Sequence, residues 1–539
     1  MAMQRNIGLV GLTFVAVGGV LGSGWLFAPL ATAQLAGPAA ILAWLIGAIA
    51  MLLLALAFAE VATLFPVAGG IARIPQFSHG RLMAMLMGWT AWAGYCTTAP
   101  IEVEAALRYA SDWLPWIHSG EKGGMTLPGQ ITAAVLLLLF TVINAFGVAW
   151  FARINTAMTW FKLAVPAIFI VMIIVDKFDG ANFTQYDGFM PYGMSGVFAA
   201  VATGGVAFAF VGFRHAIDMA GETRNPERNI PLALILAVLI CLVIYGGIQI
   251  AFMGAIGPSD VTDGWKSLKF ESDLGPLGAL AAAIGLLWMV SLLNVAAVVA
   301  PLGGGLVSTG SNGRLAMAMA NNGVFPAIFA KLNVFGVPLW ALLLNYVIAL
   351  IMMFTMPFGE IVALNGAAIT LSFVSGPIAV LALRRLASRY ERPFNMPFAN
   401  VLAPLGFVIA SLMVFWSGWE TTWRLLVLLV LGVILFAVRL AVMGKEDLEP
   451  AGVIWFLPYM GGISVVSYLG IYDGGIGVIT SPLDSILVAA IALGSFYLAI
   501  QNRIKQEQFD IFIAEEERNQ IEEYGSADQI EGFGHHAKG

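Results

Sequence analysis

The chain has 539 residues, 60% of them hydrophobic and only 11% charged, with a mean hydropathy of +0.87. That balance excludes a soluble domain, and a net charge of −6 gives no sign of nucleic-acid binding. The two cysteines, Cys96 and Cys241, both fall inside apolar runs, so neither a disulfide framework nor a metal site is implied.

Apolar runs long enough to cross a roughly 30 Å hydrocarbon core recur along nearly the whole length. About 14 are predicted, near 7–34, 38–64, 82–111, 129–150, 154–175, 195–220, 230–256, 276–310, 337–356, 359–384, 401–418, 422–443, 452–470 and 482–500. Residues Met1 to Asn6 lack a cleavable signal pattern, so the run from Ile7 is expected to be a retained membrane helix.

The first segment contains Gly18-Gly19-Val20-Leu21-Gly22-Ser23-Gly24 at bilayer depth. Open backbone in hydrocarbon costs several kcal/mol per unpaired group, so it persists only when buried in protein or lining a cavity. Secondary transporters build substrate sites from such interrupted helices. Close helix packing through small residues is the other reading.

The third segment carries Glu102 and Glu104, which are about 200° apart around a helix and cannot face the same way. Glu104 can pair with Arg108 one turn on. Glu102 has no partner on its own helix, which leaves it for the site, for proton binding, or for another helix. The fifth segment holds Lys162, either a surface lysine reaching the interface or a buried group able to give up its proton. In the sixth segment Phe208 to Phe213 reads as a second weak point. Arg214 follows it, with Asp218 one turn away as a possible neutraliser. His215 faces elsewhere and reads as packing. The five histidines, His79, His118, His215, His535 and His536, are scattered with no zinc spacing, and nothing resembles a selectivity filter, so an enzyme and a channel are disfavoured.

Loops holding Arg5, Arg73, Arg81, Arg153, Arg224, Arg228, Arg314, Lys331, Arg384, Arg385, Arg389 and Arg392 alternate with loops rich in acid. The latter hold Asp112, Glu121, Asp176, Asp179, Asp260, Asp263, Glu271, Asp473 and Asp484, together with Lys122, Lys177, Lys266 and Lys269. The arginine-rich set is expected to be cytoplasmic, with both termini inside. The acidic tail after Gln501, with Glu515 to Glu517 and Glu522-Glu523, reads either as a short polar helix or as a disordered extension.

Two interrupted segments of opposite direction, five spans apart, are the mark of an inverted repeat with a site between its halves. Several motifs then fall in register. They are Gly22-Ser23-Gly24; Ala59-Glu60, Pro66 and Gly69-Gly70; Phe210-Val211-Gly212-Phe213 with Asn225-Pro226 through Pro231; Arg314 with Ala316-Met317-Ala318 and Pro326; and Arg392-Pro393-Phe394 with Pro397. Together they resemble the amino acid–polyamine–organocation superfamily of permeases, over residues 7 to about 400. Trp25, where that family usually has a small aliphatic residue, and an extra pair of spans depart from it.

The resemblance implies an all-α polytopic membrane protein with a LeuT-type five-plus-five inverted repeat and additional C-terminal helices. Its expected divisions are residues 1–176 and 177–397 for the repeats, 398–500 for four more helices and 501–539 for the acidic tail. It also implies that the amides of Gly22, Ser23 and Gly24 receive a substrate carboxylate, that the carbonyls of Gly19, Val20 and Phe208 receive an ammonium, and that Phe208 gates, with Val211 beside it. In proton-coupled members a lysine at the place of Lys162 stands in for a sodium ion, and Glu102 is the companion candidate for coupling. Relatives often carry a small, polar or acidic residue at Arg214, so an arginine there points to an acidic substrate. The implied activity is proton-coupled amino acid symport across the cell membrane, leaning toward aspartate and glutamate, with no metal or organic cofactor. A neutral amino acid or amine exchanger or uniporter, or a transporter-like sensor, is the alternative.

Overall fold

The computed structural model of the chain describes residues 5–111, 113–118, 125–261, 263–269, 275–443 and 448–524. Asp112, Glu121, Lys122, Glu271, His535 and His536, named above, lie outside the described residues. Among those described the chain is all-helical, with isolated bridges at Ile7–Thr223 and His118–Met125 and no strand.

In chain order the helices are α1 (Leu9–Val20), α2 (Gly24–Ala36), α3 (Ala40–Leu64), α4 (Gly70–His79), α5 (Arg81–Ala110), α6 (Leu127–Ala145), α7 (Val148–Asp176), α8 (Gly193–Ala202), α9 (Val206–Phe210), α10 (Arg214–Asp218), α11 (Pro226–Ala255), α12 (Gly275–Ala283), α13 (Leu287–Asn321), α14 (Leu339–Thr355), α15 (Phe358–Ser372), α16 (Ser375–Leu386), α17 (Ala399–Trp416), α18 (Trp419–Met443), α19 (Phe456–Leu469), α20 (Leu483–Gln501) and α21 (Gln506–Tyr524). By length and composition, 10 helical runs among the described residues suit a membrane crossing, or 11 if the bent pair in the sixth segment counts as one. This is a multi-pass membrane protein. The count falls below fourteen for physical reasons. α1 and α14 have only 12 and 17 residues, and Gly24–Leu64 registers as one run of 41. α5 is long enough, but Gly88, Thr90, Gly94, Tyr95, Thr97 and Thr98 dilute its apolar middle.

The first interruption is where the glycines lie. α1 ends at Val20, Leu21 turns out of helical geometry (φ −79°, ψ 65°), and α2 restarts at Gly24. The second is displaced from its expected position. The sixth segment bends by 44° between Ala202 and Val206, where Gly205 takes φ +92°, a conformation that a side chain would strain. Val211–Phe213 stays wound as a tighter 3₁₀ turn between α9 and α10. Val206 to Val211 all carry side chains and hold their winding, so Gly204-Gly205 takes the bend instead.

α5 and α13 pack along each other at the centre, with α1 and α7 against α13, and α11 against α1 and α3. α18 is the least covered span. On the arginine-rich face the chain is closed. Ile7 pairs with the extended stretch after α10 (Ile7 N to Glu222 O 3.0 Å, Arg224 N to Ile7 O 2.8 Å). Buried Arg314 donates two hydrogen bonds to Glu222, at 2.8 and 2.9 Å. Arg384 does the same to Glu60, at 2.8 and 2.7 Å, which ties the last turns of α3 to the end of α16. The tail resolves in favour of a helix as far as Tyr524. α21 lies on α4, with buried Glu516 on Arg73, Glu515 on Arg81 at 2.9 Å, and buried Phe509 against Phe65 and Tyr390. Acid on this segment answers the basic loops.

Candidate functional site

The candidate site lies where the two interrupted helices touch. Gly212 abuts the backbone of Gly19 and Val20 so closely that no Cβ would fit. A Cβ on Gly24 would lie 3.3 Å from that of Ala209. The Tyr245 hydroxyl from α11 donates to the Val20 carbonyl at 2.6 Å and reaches the Ala209 carbonyl at 3.4 Å, bridging both chain segments. Of residues 206–218 only Phe208 is partly exposed, which suits a ring at the edge of a cavity. Val211 and Arg214 are buried.

Lys162 is fully buried rather than at the lipid surface. Its ammonium donates to the Gly18 carbonyl at 2.7 Å. Asn155, Thr159 and Lys162 occupy one stripe of α7. The first two reach the Phe14 carbonyl at 2.9 and 3.4 Å, so this stripe holds the last two turns of α1. On the opposite side of the interruption, Glu102 of α5 accepts the Ser23 amide at 2.9 Å and leaves no room for a side chain at Gly22. Glu102 thus finds its partner on the broken backbone. It is a carboxylate seated on the amide expected to receive the substrate's. The expected carbonyl acceptors are partly used already, Val20 by Tyr245 and Phe208 by the Val211 amide. Val20 also accepts from the Gly22 amide at 2.9 Å, so both its lone pairs are taken.

Arg214 does not pair directly with Asp218. Its guanidinium lies 4.0 Å from the centre of the Tyr95 ring, and Nη2 donates to the Thr98 hydroxyl at 3.2 Å. The Tyr95 hydroxyl donates to Asp218 at 2.8 Å, so the aspartate is reached only through the ring. Nε of Arg214 and Oδ1 of Asp218 have no hydrogen-bond partner among the described residues. Buried Trp25 likewise has an unpartnered Nε1 among them. Glu104 takes the expected partner, Arg108, at 3.4 Å.

A family model described as amino acid permease matches residues 7–436, through both interruptions and every motif above. The chain belongs to the amino acid permease family. Within the amino acid–polyamine–organocation superfamily, the permease is 36% identical over 517 residues to the glutamate/serine transporter AimA of Bacillus subtilis, covering 94% of this chain and 95% of that one. It is 34% identical over 504 residues to the aspartate-proton symporter of the same organism, covering 92% and 96%. The branched-chain amino acid permease BcaP, also of Bacillus subtilis, matches at 26% over 450 residues, covering 81% and 93%.

Sequence reasoning missed part of the permease's centre. Gly303 and Gly304 on α13 face the two coupling candidates. A Cβ on Gly303 would meet the Lys162 ammonium at 2.6 Å, and one on Gly304 would lie 3.3 Å from the Glu102 carboxyl carbon. The Gly303-Gly304-Gly305 run in an apolar helix was a visible signal for close approach. Tyr245, Tyr95 and Thr98 carried no signal, because a lone hydroxyl in an apolar helix does not declare what it faces. His215, expected as packing, is hydrogen-bonded to Ser311 at 2.8 Å.

Proposed function

We propose that this permease carries amino acids into the cell together with protons, preferring aspartate and glutamate, by alternating access around the interruptions at 21–23 and 203–205. In this reading residues 1–176 and 177–397 are two inverted five-helix repeats of a LeuT-type fold. Residues 398–500 add four spans to make fourteen, and both termini, including the tail at 501–539, are in the cytoplasm. The amides of Gly22, Ser23 and Gly24 receive the α-carboxylate, Gly19 and Phe208 offer carbonyls to the ammonium, and Val211 and Phe208 border the bound molecule.

One observation carries the acidic preference. Arg214 is a buried cation with no carboxylate at ion-pair distance among the described residues. An unpaired buried charge is costly, and a second carboxylate on the substrate supplies the missing partner. The names of two relatives, an aspartate-proton symporter and a glutamate/serine transporter, support the same preference. Coupling rests on Lys162 and Glu102, which hold opposite sides of the first interruption. A substrate carboxylate arriving at the Ser23 amide displaces Glu102, whose charge then needs a proton, and loss of the Lys162 proton frees Gly18. A neutral amino acid carrier is the second reading, favoured by the stacking of Arg214 on Tyr95, which already spreads part of its charge.

The test is uptake in proteoliposomes, with and without an imposed proton gradient, across a panel of labelled amino acids. Accumulation of aspartate or glutamate that follows the proton gradient and ignores sodium is expected. Sodium dependence would remove Lys162 from its role, since an ion and a lysine cannot share one place. Leucine competing as well as aspartate would leave the neutral reading.

A further inference from the structure

A basic cavity lies where two spans end. The apolar runs Leu364–Leu386 and Leu483–Gln501 terminate at a common cavity of about 370 Å³, which therefore sits at the level of the membrane surface. Its walls bring together Arg385, Arg503 and Lys505, the carboxamides of Gln501 and Gln506, and an apolar floor at Leu386. Among the described residues no carboxylate lines it. Arg385 and the Lys505 ammonium make no hydrogen bond or ion pair among these residues, and Arg503 donates only to the Ile500 carbonyl, at 3.0 Å. The neighbouring acids are engaged or turned away. Asp510 holds Arg389 at 2.5 Å and accepts from Gln506 at 3.1 Å, while Glu507 is exposed and outside the lining.

Three cations gathered without an anion repel one another. Burial, and after it the Arg385 charge, holds the Arg503 guanidinium below its ordinary pKa. The 19-residue helix α21 starts at Gln506, so its N-terminal amides and the positive end of its dipole add to the same field. The other cavity of about 370 Å³ in this part of the molecule makes the contrast. It lies between Gln76, Arg81, Asn322 and Arg518, but it includes Glu515, which already answers Arg81.

We infer that the cavity at Arg385, Arg503 and Lys505 binds a phosphate-bearing anion, the phosphodiester headgroup of an acidic membrane lipid. Guanidinium groups take phosphate oxygens in pairs, and basic pockets at the ends of spans suit acidic headgroups. The position at the end of two spans favours a lipid over a soluble phosphate, because acyl chains can run down the apolar surface below Leu386.

The test is thermal unfolding of the full-length protein in neutral detergent, with added phosphatidylglycerol, phosphatidylcholine or inorganic phosphate. Phosphatidylglycerol should raise the melting temperature in a saturable way, and phosphatidylcholine should not. Replacing Arg385, Arg503 and Lys505 together by Gln should weaken the phosphatidylglycerol effect roughly tenfold or more in lipid concentration. Arg228→Gln, which removes an exposed charge elsewhere, should leave it intact. Should the triple variant fold poorly, Arg385→Gln alone carries the test, since that side chain holds nothing else among the described residues. If inorganic phosphate at millimolar levels matches the lipid, the anion chemistry stands and the source is soluble. A triple or single variant with the full wild-type response, or a wild type indifferent to both anions, overturns the assignment.

Discussion

Two groups of buried charges divide this permease. On the arginine-rich face three of the cations meet carboxylates: Arg314 with Glu222, Arg73 with Glu516, and the half-buried Arg384 with Glu60. In the middle of the molecule the pattern reverses. Lys162 rests on a carbonyl, Glu102 on an amide, and Arg214 on a hydroxyl and an aromatic face. Arg314 and Arg73 are as deeply buried as Lys162 and Arg214, so the difference is not one of exposure. Paired charges satisfy each other and hold helices in place. Charges held by backbone and hydroxyl groups are only part-satisfied, and a substrate or a proton can complete them. Breaking the first kind should cost stability, whereas breaking the second should cost transport.

The largest effect is expected at Arg314. Arg314→Met leaves Glu222 buried without a partner and should lower stability by about 3–5 kcal/mol. Thermal unfolding in detergent reads this, and pairing the change with Glu222→Leu should recover most of the loss. If Arg314→Met melts like the wild type, the closed face is not held by this pair. Next in size is Arg214→Ala, which should weaken binding of aspartate and glutamate by roughly 2–5 kcal/mol while some neutral amino acid still competes. A uniform loss for all substrates would assign Arg214 to folding, with Asp218 and Tyr95 as its reason.

Lys162→Met tests the second kind of charge. Removing a buried charge that has no carboxylate partner should leave the melting temperature unchanged or higher, yet accumulation driven by a proton gradient should disappear. Glu102→Gln should keep an acceptor at the Ser23 amide and make uptake independent of external pH. A Lys162→Met protein that melts early would place this residue with the paired group.

The smallest effect lies at the edge. His79, at the end of α4, is buried between Ser78 and the Ala499 carbonyl, and burial lowers its pKa to about 4 from the ordinary 6.5. Native protein keeps it neutral down to about pH 4, while unfolded chains protonate it near 6.5. The unfolded state therefore binds more protons between these values. The stabilisation is complete above pH 6.5 and is lost as pH falls toward 4, by at most about 3 kcal/mol. His79→Gln should flatten melting temperature against pH in that window, and an unchanged slope would assign the pH dependence to other groups.

Much was determined by sequence alone, and by physics that acts locally. Runs of apolar residues must be helical in a bilayer because backbone groups have no other partners there, so the multi-pass class and most spans were legible. The glycines at 18–24 marked the first interruption because they lack the side chains that stabilise winding. Charges inside spans stood out because burial is costly, which brought Lys162, Glu102 and Arg214 forward. What these groups touch was decided by tertiary structure. Whether Lys162 snorkelled or was buried depended on α1 lying against its stripe of α7, and Glu102 found Ser23 only because α5 passes beside the break. The bend of the sixth segment moved to Gly205 because local winding at 208–213 survives once Gly212 is packed on Gly19. The acidic tail, readable either as a helix or as disorder, became a helix because Arg73 and Arg81 lie more than 400 residues earlier in the chain but next to it in space. Spacing along a sequence reports which faces a helix has. Only packing decides what stands opposite each face.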